Sequence, residues 1–244
     1  MTFDITDLHG QRVVVLGGTS GIGLATAVAA AAAGAEITVA SSRKVSVNRA
    51  LDQLPAGTAG HAVDLSDTAA VRAFFSDLGD FDHLVFTAGE SLLVSTLSSL
   101  DLGEARRFFE LRYFGALTAA QAAAPHLRQG GSITLTTGGA LARPRAGWSV
   151  AASILGAVDA LTRALAVELA PIRVNAVCPG VVRSPLWDSM SDTEREKFYR
   201  TVGASLLTGR VGEASDIARG YLFFITQSYA TGSVLTLDGG GALV

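Results

Sequence analysis

The sequence is poor in cysteine and in charge. A single cysteine, Cys178, stands among 244 residues, so no disulfide bond can form within the chain. It lies in the apolar run VNAVC, where a buried and unreactive thiol is more common than a nucleophile. Charged residues make up only 17% of the chain, whereas hydrophobic residues make up 49% and glycines number 27. This balance excludes a disordered chain and predicts a compact domain with many tight turns.

Clustered charge and long apolar runs are missing as well. The net charge is −3 and the basic residues are scattered, so we expect no nucleic-acid partner. The longest apolar run, residues 24–35, is too short and too rich in alanine to cross a bilayer. No charged segment followed by an apolar one opens the chain, and we therefore expect a cytoplasmic protein without a membrane partner.

Short apolar segments alternate with helix-length segments along the whole chain. We predict strands at residues 12–16, 36–40, 61–63, 83–86, 132–136, 172–177 and 234–237. We predict helices after Gly23 and at residues 45–54, 67–78, 102–127, 149–170 and 214–227. This order predicts a single α/β domain over residues 1–244, a Rossmann-type, doubly wound parallel sheet of about seven strands with helices on both faces.

Ligands of such sheets bind beyond the carboxyl ends of the strands, so the loops that follow the strands should carry the site. The longest interruption of the pattern covers residues 184–212 and contains Trp187, Met190, Phe198 and Tyr199. Such a segment is typical of a lid over a substrate site.

The segment GGTSGIG, from Gly17 to Gly23, follows the first strand and opens a helix. Glycines let the backbone approach a pyrophosphate, and the helix N-terminus offers unpaired N–H groups with a favourable dipole. A glycine cluster can also serve only a tight turn. The spacing of Gly17, Gly21 and Gly23 differs from the usual dinucleotide fingerprint.

This glycine spacing closely resembles that of the short-chain dehydrogenase/reductase (SDR) family. Four further features resemble the same family: Asp64, the TAG at residues 87–89, the VNAVCPG at 174–180 and the LDGG at 237–240. The resemblance runs from about residue 12 to 244 and implies an oxidoreductase fold with a dinucleotide cofactor. It implies that Asp64 and Leu65 hold the adenine, although Asp64 could instead cap a helix or turn. The cofactor-binding residues it implies are Gly17, Thr19, Ser20, Gly21, Ile22, Gly23, Ser42, Arg43, Asp64, Leu65, Ala88, Gly89, Pro179, Gly180 and Val182.

The end of the second predicted strand indicates which cofactor is used. An acidic side chain there would bind the ribose 2′-hydroxyl of NAD and repel a 2′-phosphate. The segment is instead ASSRK, ending in Ser42, Arg43 and Lys44. We therefore expect NADP in preference to NAD, unless the two basic residues are only a solvated helix start.

At the positions where the SDR family carries its catalytic residues, this sequence has other residue types. Family members that reduce carbonyls use a Tyr acid, a Lys four residues later, a Ser and an Asn. In the helix predicted at 149–170 the Tyr position is Ala151 and the Lys position is Leu155. The Ser position falls at Thr137 or Gly138, and the Asn position is Arg112. Ordinary Tyr/Lys carbonyl reduction should therefore be absent.

Other residues could supply part of the missing chemistry. Arg112 could pair with a carboxylate or stabilise an oxyanion, or it could form a surface ion pair with Glu104 or Glu110. Glu90 is a possible substitute acid or base, although an exposed loop carboxylate is as probable. Thr137 could bind a substrate oxygen or simply pack at the strand end, and no metal site is expected.

Three functions remain open from the sequence. The first is a divergent NADP(H)-binding oxidoreductase that acts on a small organic molecule. The second is a non-catalytic SDR subunit that supports an intact relative in a mixed oligomer. The third is a non-redox enzyme on the same fold, for an elimination or a cyclisation. By resemblance we also expect a homo-oligomer, a dimer or tetramer, formed through the helices at residues 102–127 and 149–170.

Overall fold

A computed structural model of the chain describes residues 7–90 and 93–244. Its main sheet contains seven strands, all parallel to their neighbours, in the order β3-β2-β1-β4-β5-β6-β9. The strands are β1 (Arg12–Leu16), β2 (Glu36–Ser41), β3 (Ala59–Ala62), β4 (Phe81–Phe86), β5 (Leu127–Thr136), β6 (Arg173–Pro179), β7 (Val182–Arg183), β8 (Gly212–Glu213) and β9 (Val234–Leu237). The predicted doubly wound α/β architecture is thus confirmed, and β7 and β8 form a separate two-stranded sheet.

Helices cover both faces of the main sheet. They are α1 (Gly21–Ala32), α2 (Lys44–Leu51), α3 (Thr68–Leu78), α4 (Leu102–Phe109), α5 (Ala116–Ala123), α6 (Ser149–Glu168), α7 (Asp192–Ser205) and α8 (Ala214–Thr226). Successive side chains of a strand point to opposite faces, and β1 illustrates this alternation. Val13 and Val15 pack with residues of α1 and α8, whereas Val14 and Leu16 pack with residues of α3, α5 and α6. Burial on both faces explains why the central strands β1, β4 and β6 are predominantly apolar runs, whereas the edge strand β3 is largely exposed.

The helix predicted at residues 102–127 is interrupted. Between α4 and α5 the backbone forms a π-helical turn at Glu110–Gly115, and a 3₁₀ turn follows at Ala124–His126. A π-helical turn contains one more residue than an α-helical turn, so the side chains after it point in a different direction around the helix axis. Such turns are frequent at functional sites. Arg112 lies within this turn.

The longest apolar helix among the described residues, α6, belongs to the core. By length and composition α6 could cross a membrane. It packs instead along β5 and β6, with Ile154, Val158 and Leu161 buried against the sheet. A helix buried in the core of an α/β protein can be as apolar as a membrane-spanning helix, so the composition of α6 is explained by its burial.

The predicted lid segment at residues 184–212 contains ordered elements that the sequence pattern did not predict. A 3₁₀ turn at Pro185–Trp187 leads into α7, and a capping box of Ser191 and Glu194 begins that helix. Arg183 donates hydrogen bonds to the carboxylate of Glu196 at 2.5 and 3.1 Å and ties this segment to β7. That such a segment opens and closes stays a prediction.

Candidate functional site

A cleft of about 820 Å³ lies at the carboxyl ends of the strands. Its walls come from the loops after β1, β2, β4, β5 and β6, together with the lid segment. In the sheet order 3-2-1-4 the strands after β1 are added on one side and those from β4 onward on the other, so a crevice opens between β1 and β4 where the crossovers diverge. The position of the cleft is therefore a consequence of the sheet topology.

The glycine-rich turn forms one wall of the cleft because its glycines permit very close backbone packing. Gly17 has a φ of +84°, and a Cβ on it would lie 2.5 Å from the backbone nitrogen of Ala88. A Cβ on Gly23 would lie 2.3 Å from the carbonyl oxygen of Gly17. Ser20, the residue before α1, makes no side-chain cap, so the first N–H groups of this helix are not used by it. They are aimed at the cleft as an anion site requires.

The lid segment lies directly on this turn. Gly21 has a φ of +50°, and a Cβ there would lie 3.2 Å from Cδ of Pro185 and 3.4 Å from Cβ of Ser184. Thr19 and Ile22 also line the cleft beside it. The phosphate end of the cleft is therefore covered by the start of the lid segment.

A cluster of hydroxyls and guanidinium groups forms the far end of the cleft, where β2 ends. Ser42, Arg43, Ser46 and Arg49 line it, whereas Lys44 does not. Residues three apart share one face of a helix, so Ser46 and Arg49 of α2 project together, while Ser42 and Arg43 reach the cleft from the turn before the helix. Arg49 was missed by the sequence analysis, although this spacing could have indicated it.

Asp64 and Leu65 line the cleft on the opposite side of that end. The exposed Asp64 carboxylate accepts hydrogen bonds from the Ser66 hydroxyl at 2.6 Å and the Ser66 backbone N–H at 3.0 Å. These bonds lower the pKa of Asp64. The cap of α3 is Asp67, which accepts from Ala69 and Ala70, so Asp64 does not serve as the helix cap.

The loop after β6 lines the cleft opposite the glycine-rich turn. Pro179, Gly180 and Val181 face the cleft, but Val182 does not. Val182 is buried and pairs with Gly212 in the small sheet, so its expected contact with the cofactor has no support in the geometry. Burial raises the pKa of Cys178 to about 11, which keeps this thiol protonated and unreactive.

The two family positions on α6 are apolar and buried. Ala151 is 2% exposed and does not line the cleft, while Leu155 is 6% exposed and does. A Cβ on Gly138 would lie 3.2 Å from Cδ1 of Leu155, so the leucine occupies the space beside that glycine. The buried Thr137 hydroxyl donates to the Leu155 carbonyl at 3.1 Å. Thr137 is thus committed to the backbone of α6.

Arg112 projects from the π-helical turn toward the carboxyl end of β4. Its guanidinium donates to the carbonyl oxygen of Glu90 and lies 4.9 Å above the ring of Phe108. A Cβ on Gly89 would lie 2.8 Å from its Cζ, so the glycine makes room for the arginine. The buried Nε has no hydrogen-bond partner among the described residues. Burial lowers the pKa of Arg112, against the opposing charge of Glu90.

The remaining walls of the cleft combine apolar and cationic side chains with two carboxylates, Asp188 and Asp238. Trp148 and Trp187, the only two tryptophans of the sequence, both line it. Arg143 and Arg145 line it from the loop between β5 and α6. Among the described lining residues there is no tyrosine, lysine, histidine or cysteine. Glu90, on the exposed rim, lines the cleft, and its backbone carbonyl accepts the hydrogen bond from Arg112.

Fold and cleft together define a dinucleotide-binding type of α/β protein. The sequence matches the profile of the SDR-like Rossmann domain over residues 5–244, and the chain belongs to the short-chain dehydrogenase/reductase family. It is 35% identical to the short-chain dehydrogenase/reductase ATR9 of Stachybotrys chlorohalonatus, over 97% of this chain and 98% of the relative.

Two solved structures are also similar. A small-chain dehydrogenase in complex with NADPH is 40% identical, with a TM-score of 0.85 over 96% of this chain and 99% of that chain. The MalC reductase/Diels-Alderase of Malbranchea aurantiaca is 29% identical, with a TM-score of 0.90 over 98% of this chain and 100% of that chain. The predicted family membership is confirmed.

Proposed function

We propose that this protein is a divergent SDR-family oxidoreductase that binds NADP(H) and acts on a small organic molecule without a Tyr/Lys catalytic pair. The observation that carries the proposal is a cleft with a complete phosphate-binding turn and, at its other end, Leu155 in place of a cationic side chain. The glycine-rich turn fits the cofactor because side chains at Gly17 and Gly23 would fill the cradle.

The cation cluster at the end of β2 supports NADP(H) rather than NAD(H). Arg43 and Arg49 can bind a 2′-phosphate with charge-assisted hydrogen bonds, and Ser42 and Ser46 can add neutral ones. The carboxylate of Asp64 lies at this end too, but its bonds to Ser66 already occupy one oxygen. The NADPH complex of a structure 40% identical over nearly the whole chain agrees with this choice.

The residues around Leu155 would bind and shield rather than transfer protons. When bound, a reduced nicotinamide supplies a hydride, and the product then needs a proton from another source. Thr137 uses its hydroxyl proton in the bond to Leu155, and neither Ala151 nor Leu155 has one to give. Solvent or the substrate itself must then provide the proton, at a loss of about 10² to 10⁴ in rate relative to a positioned acid.

Arg112 is the residue best suited to stabilise developing negative charge. Its guanidinium is held by the Glu90 carbonyl and by the Phe108 ring, so little reorganisation is needed when an anion forms beside it. A guanidinium remains charged at neutral pH and acts electrostatically, not as an acid. Glu90 remains the candidate that could exchange a proton at the rim.

A second candidate function is a non-redox step, such as a cyclisation, on the same fold. A relative from Malbranchea aurantiaca, 30% identical over 96% of this chain, shares its name with a structure described as both a reductase and a Diels-Alderase. An apolar wall beside the fixed cation of Arg112 suits the folding of an extended substrate as well as its reduction. Product analysis with and without NADPH separates the two functions.

We also propose a homo-oligomer, a dimer or tetramer, or a mixed oligomer with an intact SDR protein. Phe114 in the π-helical turn and Leu102 at the start of α4 are exposed large apolar side chains on the helices expected to pair. Light scattering coupled to size-exclusion chromatography measures the mass of the assembly. A monomer at micromolar concentration would contradict this part of the proposal.

The proposed cofactor is tested by titrating NADPH and NADH while recording tryptophan fluorescence, since both tryptophans line the cleft. We expect the double variant Arg43→Gln/Arg49→Gln to weaken NADPH binding about 10-fold or more, because each exposed charge-assisted bond contributes about 1 kcal/mol. NADH binding should change little. Lys44→Gln is the matched control, because Lys44 neighbours Arg43 but does not line the cleft.

The absence of Tyr/Lys chemistry is tested by NADPH consumption across a panel of ketones and aldehydes. The purified chain should bind NADPH yet turn over far more slowly than about 1 to 10 per second. Turnover in that range would refute the proposed loss of carbonyl-reductase chemistry. Equal affinities for NADPH and NADH would refute the proposed cofactor.

A further inference from the structure

The loop between β5 and α6, residues 137–148, carries two arginines into the substrate end of the cleft. Arg143 and Arg145 both line the cleft, five and three residues before Trp148. The Arg145 guanidinium lies 5.6 Å above the Trp148 ring. The loop therefore presents a cation and an aromatic surface side by side.

The backbone of this loop is fixed at both ends, so its side chains have a defined location. The N–H of Gly139 donates to the Pro179 carbonyl at 3.1 Å, next to the loop after β6. The N–H of Trp148 donates to the Arg145 carbonyl at 3.0 Å, and the Gly147 carbonyl accepts from Ser95 at 3.0 Å. We call Arg143 and Arg145 the loop arginines.

The loop arginines differ from three arginines in and next to the lid segment. Arg183, Arg195 and Arg210 each pair with carboxylates, at distances between 2.5 and 3.4 Å. Neither loop arginine forms an ion pair or a side-chain hydrogen bond with any residue in the described parts of the chain. In a protein with a net charge of −3, two uncompensated cations on one cleft wall leave a local positive potential.

The surface around the loop arginines is apolar. Trp187, Leu186 and Leu206 line the same cleft from the lid segment, and Leu111 lines it from the π-helical turn. Ligand pockets commonly combine such apolar walls with a few polar groups that fix the orientation of the ligand. Two lining carboxylates are already held, Asp188 by Arg195 and Asp238 by backbone N–H groups, whereas the guanidiniums of the loop arginines are free among the described residues to bind a carboxylate in a bidentate geometry.

We propose that the substrate is an amphipathic organic anion, with an apolar, planar body and a carboxylate remote from its reacting atom. The loop arginines bind the carboxylate, while the body packs on Trp148 and the apolar residues of the lid segment. This inference rests on the proposed function, because it names the substrate class of the same cleft. It adds a specificity site that acts on binding and takes no part in the chemical step.

The test compares two probes of the same shape, 2-naphthoate and the uncharged 2-naphthamide, by titration calorimetry on the protein with NADPH present. We expect the carboxylate to bind at least about 10-fold more tightly than the amide, with a preference that shrinks at high salt. In Arg143→Gln/Arg145→Gln the preference should disappear. In Arg72→Gln/Arg219→Gln, which removes the same charge from exposed sites outside the cleft, it should remain.

Two results would overturn the inference: equal binding of both probes by the unaltered protein, or a preference that survives loss of both loop arginines. A preference lost equally in Arg72→Gln/Arg219→Gln would reduce it to a general charge effect and overturn it too. Trp148→Leu should weaken both probes alike, because the ring contacts the body rather than the charge.

NADPH binding, measured on the same samples, separates this inference from the proposed function. Retained NADPH binding with no preference for the carboxylate refutes only the substrate class. Absence of NADPH binding refutes the proposed function. In that case the preference for 2-naphthoate over 2-naphthamide can still be measured on the protein without NADPH. Retained NADPH binding by the double variant also shows that it is folded.

Discussion

A buried histidine makes the stability of this fold sensitive to mild acid. His83 lies on β4 and is 4% exposed. The Gln11 side-chain oxygen can only accept, so Nε2 of His83 donates to it at 2.6 Å, and Nδ1 accepts from the Ser132 hydroxyl at 2.8 Å. Burial lowers the pKa of His83 to about 4, and the Arg173 guanidinium acts in the same direction while Asp82 opposes it.

The sign of the effect follows from the two protonation equilibria. The unfolded chain binds a proton at this histidine below a pKa of 6.5, whereas the folded chain stays neutral down to about 4. Stability from His83 is therefore complete above pH 6.5 and is lost as the pH falls toward 4. The full loss is about 3 kcal/mol, at 1.36 kcal/mol per pKa unit, and about 2 kcal/mol of it has occurred at pH 5. For a domain of this size, about 2 kcal/mol lowers the Tm by about 4 to 8 °C.

Urea unfolding at a series of pH values from neutral to 5 measures this loss. His83→Gln keeps a donor toward Gln11 but cannot titrate, so its free energy of unfolding should fall by about 2 kcal/mol less over the same range. His61→Gln, the same change at an exposed histidine, should follow the unaltered protein. Parallel pH curves for the unaltered protein and His83→Gln would refute the assignment of the acid sensitivity to His83.

Two further predictions concern the cleft. Gly21→Val should weaken nucleotide binding at least about 10-fold in a folded protein, because Gly21 has a φ of +50° and its side chain would press on Pro185; unchanged affinity with native circular dichroism would contradict this. Ala151→Tyr with Leu155→Lys should raise trace NADPH consumption more than the sum of the single changes, since the lysine acts mainly through the tyrosine. Leu155→Lys alone should chiefly lower stability, as an unpaired cation in an apolar site; a gain in rate from that single change would contradict the coupling.

The fold could be predicted from the sequence wherever a strand is a short apolar run between breakers. β1 and β9 begin and end where the pattern places them. β5 instead begins at Leu127, because Leu127 pairs with Phe81 and the polar, glycine-rich residues before Ser132 continue the strand. Pairing with a neighbouring strand decided this boundary, and a one-dimensional pattern contains no information about the neighbour.

The sequence predicts the main parts of the candidate site but not all of the residues that line it. The glycine-rich turn and the occupants of the family positions follow from spacing along the chain. The loop arginines were not found, because nothing in the residues around them indicates that they line a cleft, whereas Arg49 was overlooked although its helical spacing from Ser46 could have indicated it. Val182 was expected there from its place after Gly180, but the pairing of β7 with β8 turns it into the core. Short irregular segments take their direction from such tertiary contacts.

The contact between Gly21 and the start of the lid segment has a kinetic consequence. Ser184 and Pro185 lie against the turn where the phosphates of a dinucleotide would be held, so they narrow that side of the cleft while they stay in place. The ion pair of Arg183 with Glu196 joins β7, which directly precedes Ser184, to α7 within the lid segment, so opening of the segment would break this pair or move both of its members. Exchange of the nucleotide would then be slower than exchange of the substrate, whose end of the cleft opens on the loop before α6. Under that condition the nucleotide would remain bound through several encounters with substrate and behave as a resident group of the protein.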